Sequence, residues 1–306
     1  MYLVERLLTI LGPTAVGKTD LTLRLAQEMK APVISGDAYQ VYKGLSIGTA
    51  KPSTEELKRV PHYLIDILEP NDVYSVADFQ RKARDVIKKC NTQGVMPILS
   101  GGTGLYVQSL LEGYQFSDVP PNQTLREELN QLYEVQGIEG LRRKARELAA
   151  HGSITIELQD KHRLYRAIEL MSAGQYDVVS HQSKDGLMYE GPVLGLMRDR
   201  ESLYKRINER VDTMVQQGLF DEVEWLLTHG ASPDSQAFKG IGYKEIVLYM
   251  THQISKEEAI DLVKKNTRHF AKRQITWYKR MPYIQWIYID DTMSELDVYK
   301  MAKDLL

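Results

Sequence analysis

Gly12-Pro13-Thr14-Ala15-Val16-Gly17-Lys18-Thr19 is the stretch whose reading decides the fold. It follows a short apolar run, Leu7 to Leu11 with one Thr, and it opens a segment of helical period. Gly-x-x-x-x-Gly-Lys-Thr in that setting predicts a strand, a phosphate-binding loop and a helix. Gly12 and Gly17 allow the backbone angles that bring successive N–H groups around an anion, and Lys18 adds a point charge. Thr19, at the helix start, offers its hydroxyl to Mg²⁺. The positive end of the helix dipole favours the same anion.

Downstream of the loop, Leu21, Leu23, Leu25, Ala26 and Met29 give a helix with one apolar stripe. Ala31 to Ser35 reads as a second buried strand, running into Gly36-Asp37-Ala38-Tyr39-Gln40. Asp37 thus stands just past a strand's carboxyl end, where open α/β sheets bind ligands; read alone, it is better explained as a helix cap or turn former. Ser53 to Glu56 and Ser75 to Asp78 carry capping-box signals. The second of them starts a helix expected to run to about Asn91. Val95 to Ser100 is a third strand, and Gly101-Gly102-Thr103-Gly104 follows it. Strands alternating with helices predict an α/β fold: a P-loop parallel-sheet core flanked by helices.

From about Phe116 the character changes. Pro120 and Pro121 punctuate the chain, and Leu125, Leu129 and Leu132 start charged sequence of helical period lasting to about Ser180. The expected organisation is therefore 1–115 as the first part of the core, 116–186 as an inserted all-helical lobe, and 187–306 as the rest of the core. Val193 to Met197 reads as a returning strand. Leu203, Ile207, Val211 and Met214 mark the next helix, with Arg206 and Arg210 beside the stripe. Lys239-Gly240-Ile241-Gly242-Tyr243-Lys244 reads as a flexible basic loop. Lys264 to Arg280 holds seven Lys or Arg and no Asp or Glu. With Phe270, Trp277 and Tyr278 interleaved, it is a local basic, aromatic helix of the kind that meets a polyanion.

Composition sets the frame for that helix. The 306 residues are 43% hydrophobic and 26% charged, as in an ordinary globular protein. A formal net charge of −2 gives no argument for nucleic-acid binding from overall charge, so any basic surface must be local. The single Cys90 rules out an intramolecular disulfide framework and suits a reducing cytoplasm. The N-terminal apolar run is too short for a signal peptide or a membrane span. A cytoplasmic, monomeric protein without a membrane partner is expected.

Taken together, these stretches resemble the tRNA dimethylallyltransferases, also called tRNA isopentenyltransferases. The resemblance rests on residues 12–19, Gly-Asp-Ala-Tyr-Gln-Val-Tyr at 36–42 and Ile-Gly-Thr-Ala-Lys-Pro at 47–52. It continues through Gly-Gly-Thr-Gly-Leu-Tyr at 101–106, Arg-Leu-Tyr-Arg-Ala-Ile-Glu at 163–169 and Ala-Lys-Arg-Gln-Ile-Thr-Trp at 271–277. Ala38 departs from the Ser often found in the family. The resemblance implies transfer of a dimethylallyl group from dimethylallyl diphosphate to the exocyclic amine of the adenine 3′-adjacent to the anticodon, in tRNAs reading codons that begin with U. It implies Mg²⁺ as cofactor and a tRNA anticodon stem-loop as partner.

Carried over residue by residue, it makes Asp37 the base for the adenine amine and Thr103 a hydrogen-bond donor to the bridging oxygen. Lys18, Thr19 and Arg210 would stabilise the departing diphosphate, with Gly12 to Thr19 as its cradle. Contacts to tRNA would come from Asp37, Ala38, Tyr39, Gln40, Thr103 and Arg126. Further contacts would come from His162, Arg163, Leu164, Tyr165 and Arg166, from Lys239, Gly240, Ile241, Gly242, Tyr243 and Lys244, and from Lys272 and Arg273.

Three other readings share parts of this pattern. A P-loop kinase for a small molecule or nucleoside leaves the acid-free basic helix without a role, and Ile98-Leu99-Ser100 ends without the acidic residue of many P-loop NTPases. A non-catalytic RNA-binding P-loop module leaves Asp37 and Thr103 without a task. An isopentenyltransferase for free adenine nucleotides needs neither the helical lobe nor the basic helix.

Overall fold

Strand β1 (Leu8–Leu11) is buried along its whole length and leads straight into the 12–19 loop. The structure, a computed structural model, describes residues 4–152, 154–155, 157–180 and 185–306. After β1 come α1 (Lys18–Met29), β2 (Val33–Ser35), α2 (Thr54–Arg59), β3 (His62–Tyr63), α3 (Val76–Thr92), β4 (Ile98–Gly101) and α4 (Gly104–Leu111). Then follow α5 (Gln123–His151), α6 (Lys161–Ser172), α7 (Tyr176–Ser180), β5 (Val193–Arg198), α8 (Arg200–Gln216) and α9 (Leu219–Thr228). The chain ends with α10 (Tyr243–Met250), α11 (Lys256–Tyr278), β6 (Gln285–Ile289) and α12 (Glu295–Lys303). Among the described residues no helix is long and apolar enough to cross a membrane.

The six strands form one sheet in the order β3-β2-β4-β1-β5-β6, parallel at every pairing. Successive strand residues point to opposite faces, so each strand feeds two cores. Leu8, Ile10, Val33, Ile98 and Leu194 join Leu21 and Leu25 of α1, Leu203 and Ile207 of α8 and Val298 of α12. Leu11, Ile34, Leu99 and Val193 join Phe79 and Ala83 of α3, Val107 of α4 and Val223 of α9. Both faces being covered is what an all-parallel sheet requires, and it explains why β1 is buried at every residue and β5 at all but Arg198. The expected parallel α/β core is borne out. Both capping boxes are present, Ser53 with Glu56 at α2 and Ser75 with Asp78 at α3.

Two strands have no counterpart in the sequence reading. β3 is only two residues long, too short to show a period, and β6 buries only Ile287 and Ile289 of its five residues. A correction falls at Lys239–Lys244, which is no flexible loop. A single 3₁₀ turn, Ala237–Lys239, leads into α10, and Tyr243 is 1% exposed with its hydroxyl on Glu222 at 2.7 Å.

Residues Met1–Leu111 with Leu187–Leu306 form one compact unit and Glu112–Gly186 a second. The named elements of the second are the helices α5, α6 and α7, and α5 breaks at Gly137, whose φ of 62° is left-handed. Leu129, Leu141, Ala145, Leu164 and Ile168 make its own core. Residues 181–184 of the expected lobe lie outside the described ones.

Candidate active site

The carboxyl ends of β1, β2, β4 and β5 lie side by side in the parallel sheet, so the loops after them share one edge. The loop after β1 is held open by cations on its carbonyls. Lys18 Nζ donates to the Gly12 and Pro13 oxygens at 2.9 and 2.8 Å, and Arg206 Nε donates to Ala15 O at 3.0 Å. Arg198, at the end of β5, reaches Val16 O at 3.4 Å. Ala15 has φ 63° and Gly17 φ 108°; a left-handed alanine carries strain, and its tethered carbonyl helps to hold it there. Carbonyls tied to cations cannot turn into the cradle, which favours presenting N–H groups to an anion.

Asp37, after β2, is half-buried, and its Oδ1 accepts the Tyr39 and Gln40 N–H groups at 2.8 and 3.2 Å. Burial pushes its carboxyl above the usual carboxylate range, against those two bonds and the charges of Lys18 and Arg210. Thr103, after β4, accepts the Ala38 N–H on its Oγ1 at 3.1 Å. The two turns come together because neither Gly36 nor Gly101 has a side chain: a Cβ on Gly101 would stand 2.5 Å from the Gly36 backbone. Lys18 is pushed down to about 7, by burial first and by Arg210 second, with Asp37 opposing. Arg210 on α8 is lowered by burial, while Asp20 and Asp37 pull the other way. Lys18, Arg210 and Asp37 therefore feel one another's charge, and the structure brings these sequence-predicted residues into one site.

Gln40 extends the turn. It accepts the Ser35 hydroxyl at 2.8 Å and donates to the Thr49 and Ala50 carbonyls at 3.2 and 3.3 Å. Glu222 takes the N–H groups of Ser46, Ile47 and Gly48 at 2.9, 2.7 and 3.2 Å, so the 46–50 stretch is pinned from both sides. The Tyr39 ring lies against Gly240, where a Cβ would be 3.2 Å away, which puts the 239–244 segment beside the Asp37 turn. Lys239 and Lys244 are exposed there, whereas Gly240, Gly242 and Tyr243 are buried.

On α11, Lys272 and Arg273 are exposed, and Arg273 stands 5.8 Å over the Phe270 ring. In the helical unit His162 and Arg163 are exposed on α6. Leu164 is fully buried in that unit's core, and Tyr165 is 7% exposed with its hydroxyl on Asn130 at 2.9 Å. Arg126 and Arg166 both turn to the buried Glu169 carboxylate, Arg126 through two bonds of 2.7 and 3.1 Å.

Thr19, in the first turn of α1, is half-buried and carries a hydroxyl of the kind a hard cation accepts as a ligand. Among the described residues no group of three His, Cys, Asp or Glu is placed to hold a metal. Such a donor set fits an ion like Mg²⁺ that keeps waters and takes its other oxygens from substrate phosphates.

Sequence reasoning gave no role to Arg198, Arg206, Glu222 or Gln274. Gln274 Oε1 accepts the Thr14 N–H at 2.9 Å and its Nε2 donates to Gly102 O at 2.7 Å. The available signal was its place inside the 271–277 motif; for Arg206 it was its position one turn before Arg210 on the same helix.

A parallel sheet with a phosphate loop on a central strand and a raised carboxylate two strands away defines a P-loop α/β protein built around an anionic ligand. The chain belongs to the IPP transferase family, whose model matches residues 40–281. A tRNA dimethylallyltransferase of an Exiguobacterium species is 43% identical over 97% of this chain and 94% of its own length. One from Alkaliphilus metalliredigens is 40% identical over 98% and 97%. The crystal structure of a full-length tRNA isopentenylpyrophosphate transferase from Bacillus halodurans superposes with a TM-score of 0.72 at 37% identity, covering 98% of this chain and 96% of that one.

Proposed function

We propose that this chain transfers a dimethylallyl group from dimethylallyl diphosphate to the exocyclic amine of the adenine 3′-adjacent to the anticodon, in tRNAs reading codons that begin with U. The observation that carries the reading is the meeting of Lys18, Arg210 and Asp37 at the strand-end edge, with Thr103 bonded to the residue after Asp37. The amine nitrogen bonds to the allyl carbon as the C–O bond to diphosphate breaks. The electron pair leaves with the diphosphate, and the amine proton goes to an Asp37 oxygen. Residues Gly12 to Thr19 bind the diphosphate, with Lys18 and Arg210 stabilising its growing charge. Thr103 donates its hydroxyl proton to the bridging oxygen; its Oγ1 already accepts from Ala38, which leaves the O–H free to do so. Thr19 would hold Mg²⁺, which when bound neutralises phosphate charge.

Acceptor contacts fall to the exposed cations. Lys272, Arg273, Lys239 and Lys244 in one unit, and His162 and Arg163 in the other, would position the anticodon stem-loop through its phosphates. A single adenine would leave its stack at a cost of a few kcal/mol. We place the protein in the cytoplasm as a monomer, in keeping with its one buried free cysteine. The test is incubation with dimethylallyl diphosphate and, in separate arms, unmodified tRNA, AMP or ATP, followed by nucleoside mass spectrometry. A mass gain of one dimethylallyl group on tRNA adenosine alone is expected. Prenylated AMP or ATP with unchanged tRNA would overturn the reading.

A further inference from the structure

Gln274 on α11 is 4% exposed, and both halves of its amide are occupied. The oxygen accepts from Thr14 of the phosphate loop at 2.9 Å; the nitrogen donates to Gly102, just before Thr103, at 2.7 Å. Thr103 in turn accepts from Ala38, the residue after Asp37, at 3.1 Å. One side chain therefore ties the loops after β1 and β4 directly and the turn after β2 through Thr103.

We propose that Gln274 is a positioning residue for the group transfer. It fixes the distance between the loop that holds the leaving diphosphate and the turns that carry Thr103 and Asp37. This rests on the function proposed above. The nucleophilic nitrogen, the allyl carbon and the leaving oxygen must line up while one bond forms and another breaks. A misplacement of about 1 Å in such an arrangement costs on the order of 10²-fold in rate. Only a side chain with a donor and an acceptor at this reach can bridge an N–H and a carbonyl. A carboxylate would lose the donor and set a negative charge against the diphosphate. Both partners are backbone atoms, so no other side chain of the two turns supplies the bond. The seat of α11 does not depend on it, because Ala271 and Tyr278 on either side are fully buried. With its N–H engaged by Gln274, Thr14 is also withdrawn from the anion, which leaves the amides from Ala15 onward for the phosphates.

The full-length Gln274→Met variant keeps the length of the side chain and removes both polar atoms. Its single-turnover transfer rate at saturating donor and tRNA is expected to fall about 10²-fold. Its Kd for inorganic diphosphate and for tRNA should stay within about threefold of wild type, because the loss is in alignment and not in grip. A second variant, Gly102→Ala, removes no polar atom. Its Cβ would stand 2.5 Å from Gln274 Nε2, the far end of a flexible side chain, so the amide is pushed aside and the same rate loss should appear. A rate within about threefold of wild type in either folded variant overturns the proposal. So does a rate loss matched by an equal loss of diphosphate affinity, which would make Gln274 a support for binding alone. Should the methionine variant fail to fold, Gly102→Ala decides. A wild-type chain that prenylates no tRNA overturns the functional reading, and this proposal with it.

Discussion

Lys18 Nζ donates to the Gly12 carbonyl at 2.9 Å, so the cation of the phosphate loop closes on the loop's own first residue. Burial and the neighbouring Arg210 charge bring this lysine down to about 7. Above that pH its neutral form is favoured, while an incoming anion favours the cation. Diphosphate binding should therefore take up a proton on Lys18 above about pH 7, and affinity should weaken as pH rises. Calorimetry of inorganic diphosphate in buffers of different ionisation heat checks this. In Lys18→Ala the uptake attributable to the lysine should vanish and affinity should drop at every pH. Equal proton uptake in variant and wild type would refute the assignment.

Asp37 does two things, and the choice of substitution separates them. Its Oδ1 holds the Tyr39 and Gln40 amides, an acceptor role that asparagine keeps. Asp37→Asn should fold like wild type and bind tRNA comparably, yet lose about 10²–10⁴-fold in single-turnover rate. Because burial raises the carboxyl and the base must be ionised, the wild-type rate should climb with pH through a limb above the ordinary carboxylate range. That limb should be missing in the variant. Near wild-type rates for Asp37→Asn would end the base assignment.

Glu169 anchors the helical unit. Its 2%-exposed carboxylate takes Arg126, Arg166 and the Asn122 N–H. Glu169→Ala strands two guanidiniums that are themselves only partly shielded, so we expect a loss of about 1–3 kcal/mol rather than the full penalty of a buried orphan charge. Hydrogen exchange should report it as lost protection in α5 and α6, with the amides of β1 and β4 little changed. Uniform loss across both units would show that Glu169 does not act within its own unit.

The exposed and the tethered cations of α11 should behave differently. Lys272→Ala with Arg273→Ala should weaken tRNA binding and lower the salt slope by about 1–2, at an unchanged melting temperature. Lys264 pairs with Asp212 at 2.6 Å, and Arg268 donates to Asn208 at 2.6 Å. Substituting those two should cost about 1 kcal/mol of stability and leave the slope nearer wild type. Identical slopes for both double variants would sink the distinction.

That last contrast marks a limit of reading the chain linearly. Lys264 to Arg280 is acid-free in sequence, which suggests cations screened only by solvent or a polyanion. In the fold, α8 supplies Asp212 and Asn208 to two of them, and Lys272 and Arg273 remain exposed. Arg126 was likewise legible as a cation but not as a partner of Glu169, because the two stand 43 residues apart on different helices.

By itself the sequence determined the strand, phosphate loop and helix of residues 8–29, the alternation of buried strands with capped helices, and the seats of Asp37 and Thr103 at strand ends. Those features follow from contacts within a few residues: glycine backbone freedom, side-chain-to-amide caps, and periods of 2 and 3.6. Only the tertiary structure decided the strand order, the approach of Gly36 to Gly101, and the reach of Arg206 and Arg198 to the loop carbonyls. It alone decided that Gln274 would meet Thr14 across 260 residues and Gly102 across 172. Bonds over such separations depend on which surfaces the packed sheet brings together, and no local window of sequence contains that information.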